Sequence, residues 1–192
     1  MNRREIFDIF VAILLITIIL TYNRFDLFLI YLITVLISFL PHEFAHRYLA
    51  RKLGYIAVFQ LWPQGILMSF LTLLATFGAV KFIALGAVVV YPITFKGGIL
   101  VGKRVSVRDN ALISMAGPLI NIFICIVSII LFLPSKLNFF LYLSQVNAWL
   151  SVFNLMPLFP LDGSKIFVYD FKKWFLMFAF SFLLLFFSTY IR

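Results

Sequence analysis

The sequence predicts an all-α polytopic membrane protein of about five to six transmembrane helices, with a short β or re-entrant segment between the second and third strong spans. Three observations predict it. Of 192 residues, 64% are hydrophobic and 12% charged, where a soluble domain carries about half apolar and a quarter charged residues. The mean hydropathy is +1.11, and the apolar residues gather into runs long enough to cross a bilayer. The 16 Lys and Arg outnumber the 7 Asp and Glu, giving a formal charge of +9, and they sit mostly in the connectors between those runs. That placement fits positive-inside anchoring and anionic headgroups rather than nucleic acid. Length and composition suit one integral membrane domain over residues 1–192.

The elements follow in order. Residues 6–22 form the first apolar run. Arg3 and Arg4 precede it as in a leader, but Glu5 and Asp8 interrupt the start and no small-residue cleavage site follows, so it reads as a retained span. The second run begins at 27, and helix-compatible residues continue to Gly54, a natural stop. Residues 66–80 are apolar but only about 22 Å long as a helix, short of the ~30 Å hydrocarbon core. "ALGAVVVYPITF" (84–95) is β-branched and glycine-punctuated, so it reads as strand or re-entrant backbone. A basic stretch at 96–108 then returns the chain to its starting side and faces the headgroups. Strong spans follow at 110–133 and 137–156, joined by "PSK", and an aromatic-rich run at 174–191 ends the sequence.

The charge rule places Arg3, Arg4, Arg47, Arg51, Lys52, Lys165, Lys172 and Lys173 on the inner side. "HEFAH" (42–46) and "LDG" (161–163) then lie near one membrane face although more than 100 residues part them. The protein is thus expected in the cell membrane, multi-pass, with its site near the cytoplasmic face. Cys125 is the single cysteine, so no internal disulfide is possible.

His-Glu-x-x-His on a helix has a mechanical meaning. Positions i and i+4 share a face, so His42 and His46 can bind one ion, while Glu43 is turned about 100° from His42 and can act as a base without ligating. These are the only histidines, and Glu5 is the only other glutamate. Zinc in a hydrolytic site needs a third protein ligand. The candidates are Asp8, Asp26, Asp109, Asp162, Asp170 and Cys125. Asp26 falls on the wrong side; Asp8, Asp109 and Asp170 lie beside basic residues or at span ends. Asp162, in "PLFPLDG", has no acidic neighbour, and an unpaired carboxylate in apolar surroundings is costly unless a metal takes it. It could instead cap a helix starting at "LDGSK".

These motifs make the sequence resemble the site-2 protease family of intramembrane zinc metalloproteases. "HEFAH" matches its His-Glu-x-x-His, "FNLMPLFPLDG" (153–163) its Asn-x-x-Pro-x-x-x-x-Asp-Gly, and "AGPLIN" (116–121) its Gly-Pro-x-x-Asn, in the family's order. The resemblance implies one Zn2+ per chain, held by His42, His46 and Asp162, with Glu43 as the catalytic base. It implies a substrate that is itself a transmembrane protein, cut in or near its membrane helix. Asn154 and Asn121 become candidates for contact with the substrate or the oxyanion; Asn147 and Gln145 are weaker ones. Gly117-Pro118 reads equally as close helix packing and a kink. Only 30 residues follow Asp162, so gating by an appended regulatory domain is not expected. A substrate helix must be unwound and held extended, and an edge strand at "GAVVVY" (86–91) could hold it. Two other classes fit the composition: a catalytically idle scaffold of this fold, and a transporter. The sequence leaves the oligomeric state open.

Overall fold

The computed structural model describes residues 3–96, 99–102 and 104–191, with backbone alone for 94–101. Lys103, within the expected basic stretch, lies outside the described residues. Among the described residues seven α-helices run in chain order: α1 (Arg3–Leu20), α2 (Phe28–Lys52), α3 (Pro63–Ala75), α4 (Val107–Ser135), α5 (Asn138–Asn154), α6 (Asp162–Tyr169) and α7 (Phe171–Tyr190). Four strands interrupt them: β1 (Ile56–Leu61), β2 (Gly86–Tyr91), β3 (Ile93–Lys96) and β4 (Ile99–Gly102).

Among the described residues, three helices are long and apolar enough to cross a membrane: the segment Phe25–Lys52 containing α2, then α4 and α7. α1 has 18 residues but carries Arg3, Arg4, Glu5 and Asp8 at its start, and α5 has 17. α3, with 13 residues, spans only about 20 Å. Pro63 opens it at the first helical position, where no amide is needed. It stops five residues before the end of the apolar run at 66–80, because Phe77 and Gly78 adopt positive φ.

The fold is not purely helical. β1 and β2 pair antiparallel with Ile56 opposite Tyr91 and Leu61 opposite Gly86; β3 and β4 form a second hairpin. The expected strand at 84–95 is there as β2 and β3. Its partner β1 was not foreseen, although "IAVFQL" shows the burial alternation of a half-buried strand.

α1 buries Ile9, Ala12, Ile13, Ile16 and Ile19, a three-to-four-residue stripe. The stripe packs with Val35 and Phe39 of α2, Phe59 of β1, Leu73 of α3 and Leu85 beside β2. α4 is the central helix, packing most extensively on α5 and α2. Ser106 caps its start by accepting the Asp109 amide at 2.9 Å, and Lys136 in the left-handed region ends it. Small polar residues join the helices as well. Asn147 Nδ2 of α5 donates to Ser38 Oγ of α2 at 2.8 Å, and Ser151 of α5 meets Ser181 of α7 at 2.8 Å. Buried hydroxyls and amides of this kind draw apolar helices together where lipid offers them no partner.

Candidate metal centre

α2 runs unbroken through "PHEFAHR", so His42 and His46 project from one face, one turn apart. Both are buried, at 4% and 5% exposure. Against that face lies α4, which contributes three residues at four-residue spacing: Ile113, Gly117 and Asn121. His46 Nδ1 donates to the Ile113 carbonyl at 2.7 Å, and His42 Nδ1 donates to Asn121 Oδ1 at 2.8 Å. These two hydrogen bonds fix the rings and leave both Nε2 atoms as lone pairs.

The lone pairs converge. The two Nε2 atoms are 3.0 Å apart. Asp162 Oδ2 lies 3.0 Å from His46 Nε2 and 3.5 Å from His42 Nε2. Asp162 is the first residue of α6, brought there by the turn "LMPLFPL" after α5. That turn is tight: a Cβ on Gly163 would meet the carbonyl oxygens of Leu155 and Met156. Asp162 opens α6 as its first residue, but Leu161 holds the cap position and no side chain caps the helix, so the capping reading of "LDGSK" is not met and the carboxylate is aimed at the imidazoles instead. Its Oδ1 lies 3.6 Å from Lys165 Nζ.

Three acceptor atoms facing one another without a proton between them repel unless a cation sits among them. Their separations match the ~3.3 Å edge of a tetrahedron with bonds of ~2.0–2.1 Å, the zinc–nitrogen and zinc–carboxylate range. Gly117 supplies the space. A Cβ there would lie 2.6 Å from both Cε1 and Nε2 of His42, and closer still to His46 Nε2. The donor set and its cradle fit zinc: His42, His46 and Asp162 form a group that can hold a metal ion.

Glu43 is 6% exposed, and its Oε2 is buried without a hydrogen-bond partner. It lines the same cavity as the three ligating residues. The far wall is β2, through Gly86, Ala87, Val88 and Val90; Asn154 and Lys165 also border it. Asn154 sits at the end of α5 and donates to the Leu150 carbonyl at 3.0 Å. Asn121, by contrast, is fully buried behind His42 with its oxygen engaged there. Asn147 and Gln145 face other helices, bonding to Ser38 and to the Ser188 carbonyl.

Three of the other candidate acids are held elsewhere. Asp26 pairs with Arg24 at 3.0 Å, Asp109 accepts from the Tyr55 hydroxyl at 2.6 Å, and Asp170 caps α7 and pairs with Lys173. Cys125 is buried in a cluster with Ile129 and Ala148. Sequence reasoning did not foresee the Ile113 carbonyl, the cradle at Gly117 or the ion pair between Arg47 and Glu5 at 2.7 Å. The first two leave a signal in the 113, 117, 121 spacing on α4; the third joins residues 42 apart and leaves none.

Three proteins resemble the chain over most of its length. "Putative zinc metalloprotease MJ0611" of Methanocaldococcus jannaschii is 34% identical over 172 residues, covering 86% of this chain and 84% of that protein. "Putative zinc metalloprotease YwhC" of Bacillus subtilis is 30% identical over 149 residues, 70% of this chain and 65% of its own. "Zinc metalloprotease MJ0392" of Methanocaldococcus jannaschii is 28% identical over 139 residues, but the match covers only 32% of that longer protein. No protein-family model and no solved structure matches the chain. Sharing 34% identity with MJ0611 across most of both lengths, the chain belongs to the zinc metalloprotease family of which that archaeal protein is a member.

Proposed function

We propose that the protein is an intramembrane zinc metalloprotease of the site-2 type. It hydrolyses a peptide bond in or near the transmembrane helix of a membrane-protein substrate. The observation that carries this reading is the convergence of three lone-pair ligands beside an unpartnered glutamate, in a cavity walled by an open strand edge. α1 and α5 join α2, α4 and α7 as five crossing helices in the cell membrane. Arg47, Arg51, Lys52, Lys165, Lys172 and Lys173 then mark the cytoplasmic side near the site, and Lys136 the other.

A helical substrate hides its peptide bonds in its own hydrogen bonds, so it must be bound extended. β2 offers the means. In the antiparallel register Phe59 lies opposite Val88, and the Phe59 amide points away from β2, toward Glu5. Paired residues share that orientation. Gly86, Val88 and Val90 therefore turn their amides and carbonyls away from β1, toward the cavity they line. A substrate strand added there passes over Glu43. Bound zinc would acidify water and polarise the scissile carbonyl. Glu43 takes the proton from the attacking water and passes it to the departing amine. Asn121 and the Ile113 carbonyl keep the imidazoles oriented, and Asn154 borders the path of the substrate.

The test is Glu43→Gln in the purified, membrane-reconstituted chain with a single-span substrate. One zinc per chain should remain while cleavage falls by about 10²-fold or more. A wild-type protein that holds zinc yet cuts no membrane substrate would be a scaffold instead, and solute flux indifferent to chelation would mark a transporter.

A further inference from the structure

Glu5 is 3% exposed although it lies in the first turn of α1, beside exposed Arg4 and Ile6. One of its oxygens, Oε1, receives Arg47 Nη1 of α2 at 2.7 Å and the backbone amide of Phe59 in β1 at 3.2 Å. Three elements thus meet at a single atom. A buried ion pair is a poor source of stability, since well-packed apolar residues of similar size do as well or better. What this one adds is geometry.

The Phe59 amide belongs to the outer edge of β1, the edge facing away from the site. The start of α1 lies beside that edge. Near it, between the start of α1 and one face of the sheet, a cleft is lined by Arg4, Asp8, Val58, Gln60, Leu61 and Tyr91 among others. Among the described residues β1 has no strand on that side, and an unpaired strand edge is a template for adding a peptide strand. By the register Ala57, Phe59 and Leu61 turn their amides outward, and the Glu5 carboxylate occupies the middle one. Through Arg47 it also ties the sheet to α2 one residue after the ligand His46.

We propose that Glu5 is a positioning and specificity-determining residue. It closes the outer edge of the β1–β2 sheet and sets the distance between the sheet and the metal-binding helix, so that an extended substrate is accepted only on β2 and in one register. This rests on the reading of β2 as the substrate-binding edge.

The experiment compares three full-length proteins in detergent or proteoliposomes: wild type, Glu5→Gln, and the double variant Glu5→Leu with Arg47→Met. The double variant removes both charges together, so neither is left buried and unpaired, and frees the Phe59 amide; Glu5→Gln keeps an acceptor for it. Zinc content should be equal in all three. Hydrogen exchange over 56–61 should be faster in the double variant and near wild type in Glu5→Gln. With a peptidyl hydroxamate bound, protection should fall on 86–91 alone in wild type and spread to 56–61 in the double variant. KM for a single-span substrate should rise about tenfold with kcat little changed, and mass spectrometry should find cuts at neighbouring bonds. Unchanged exchange over 56–61 with a single cut site overturns the role of Glu5. Lack of protection at 86–91 in wild type overturns instead the strand-addition reading beneath it.

Discussion

A single carbon atom on Gly117 would stand where the two imidazole Nε2 atoms meet. Gly117→Ala should therefore leave a folded protein with well below one zinc per chain by elemental analysis, and no cleavage. Asn121 acts one bond further out. Asn121→Leu removes the acceptor for His42 Nδ1, so zinc affinity in chelator competition should fall about 10–100-fold, the usual cost of losing such a partner. Asn121 also shows the limit of reading residues one at a time. The motif resemblance singled it out for contact with the substrate or the oxyanion, with helix packing as the alternative, whereas the structure engages its oxygen with His42. Only the packing of α4 on α2 brings out that contact. The grouping of the two histidines with Asp162 was legible because metal chemistry restricts both residue type and spacing. Glu5 was not: beside three basic or acidic neighbours it reads as a solvated helix start, and its burial depends on β1 and Arg47 arriving from elsewhere.

At the scale of elements, the β1–β2 register makes a sharp distinction between adjacent positions. Val88 turns its amide to the cavity, whereas Val89 turns its amide to β1, opposite Val58. Val88→Pro should keep zinc and thermal stability yet lose most substrate cleavage. Val89→Pro removes a ladder bond instead and should lower the melting temperature, because proline cannot donate within a paired strand. Equal effects of the two changes would count against substrate binding along this edge. The helices of the bundle were legible from their apolar runs to within a few residues at each end. β1 was not, because six residues after a glycine stop carry little periodic signal, and it is β2 that completes the ladder. α3 ends early for a local reason, the positive-φ turn at Phe77–Gly78, which a run of apolar letters conceals.

For the molecule as a whole, zinc should act as a brace between distant parts of the chain, since its ligands come from α2 and from the start of α6. A ligand present at about 100 times its dissociation constant stabilises the bound state by about 2.7 kcal/mol. Chelation should then lower the melting temperature of wild type and of Glu43→Gln alike, but not that of Gly117→Ala. Membrane orientation can be read with introduced cysteines, since the lone native thiol at Cys125 is fully buried. Arg51→Cys should react with an impermeant reagent from the cytoplasmic side and Lys136→Cys from the opposite side; labelling of both from one side would refute the five-span arrangement. The spacing of Ile113, Gly117 and Asn121 carries a last consequence. Both imidazoles are keyed to α4 at points two turns apart, so that helix cannot slip by one turn, about 5.4 Å, without releasing both rings and driving a Cβ into the cation's place. Ion occupancy and the mutual alignment of these two helices are consequently linked in both directions: a lipid, inhibitor or partner that strains the alignment far from the centre will loosen the ion, and a bound ion will resist that strain.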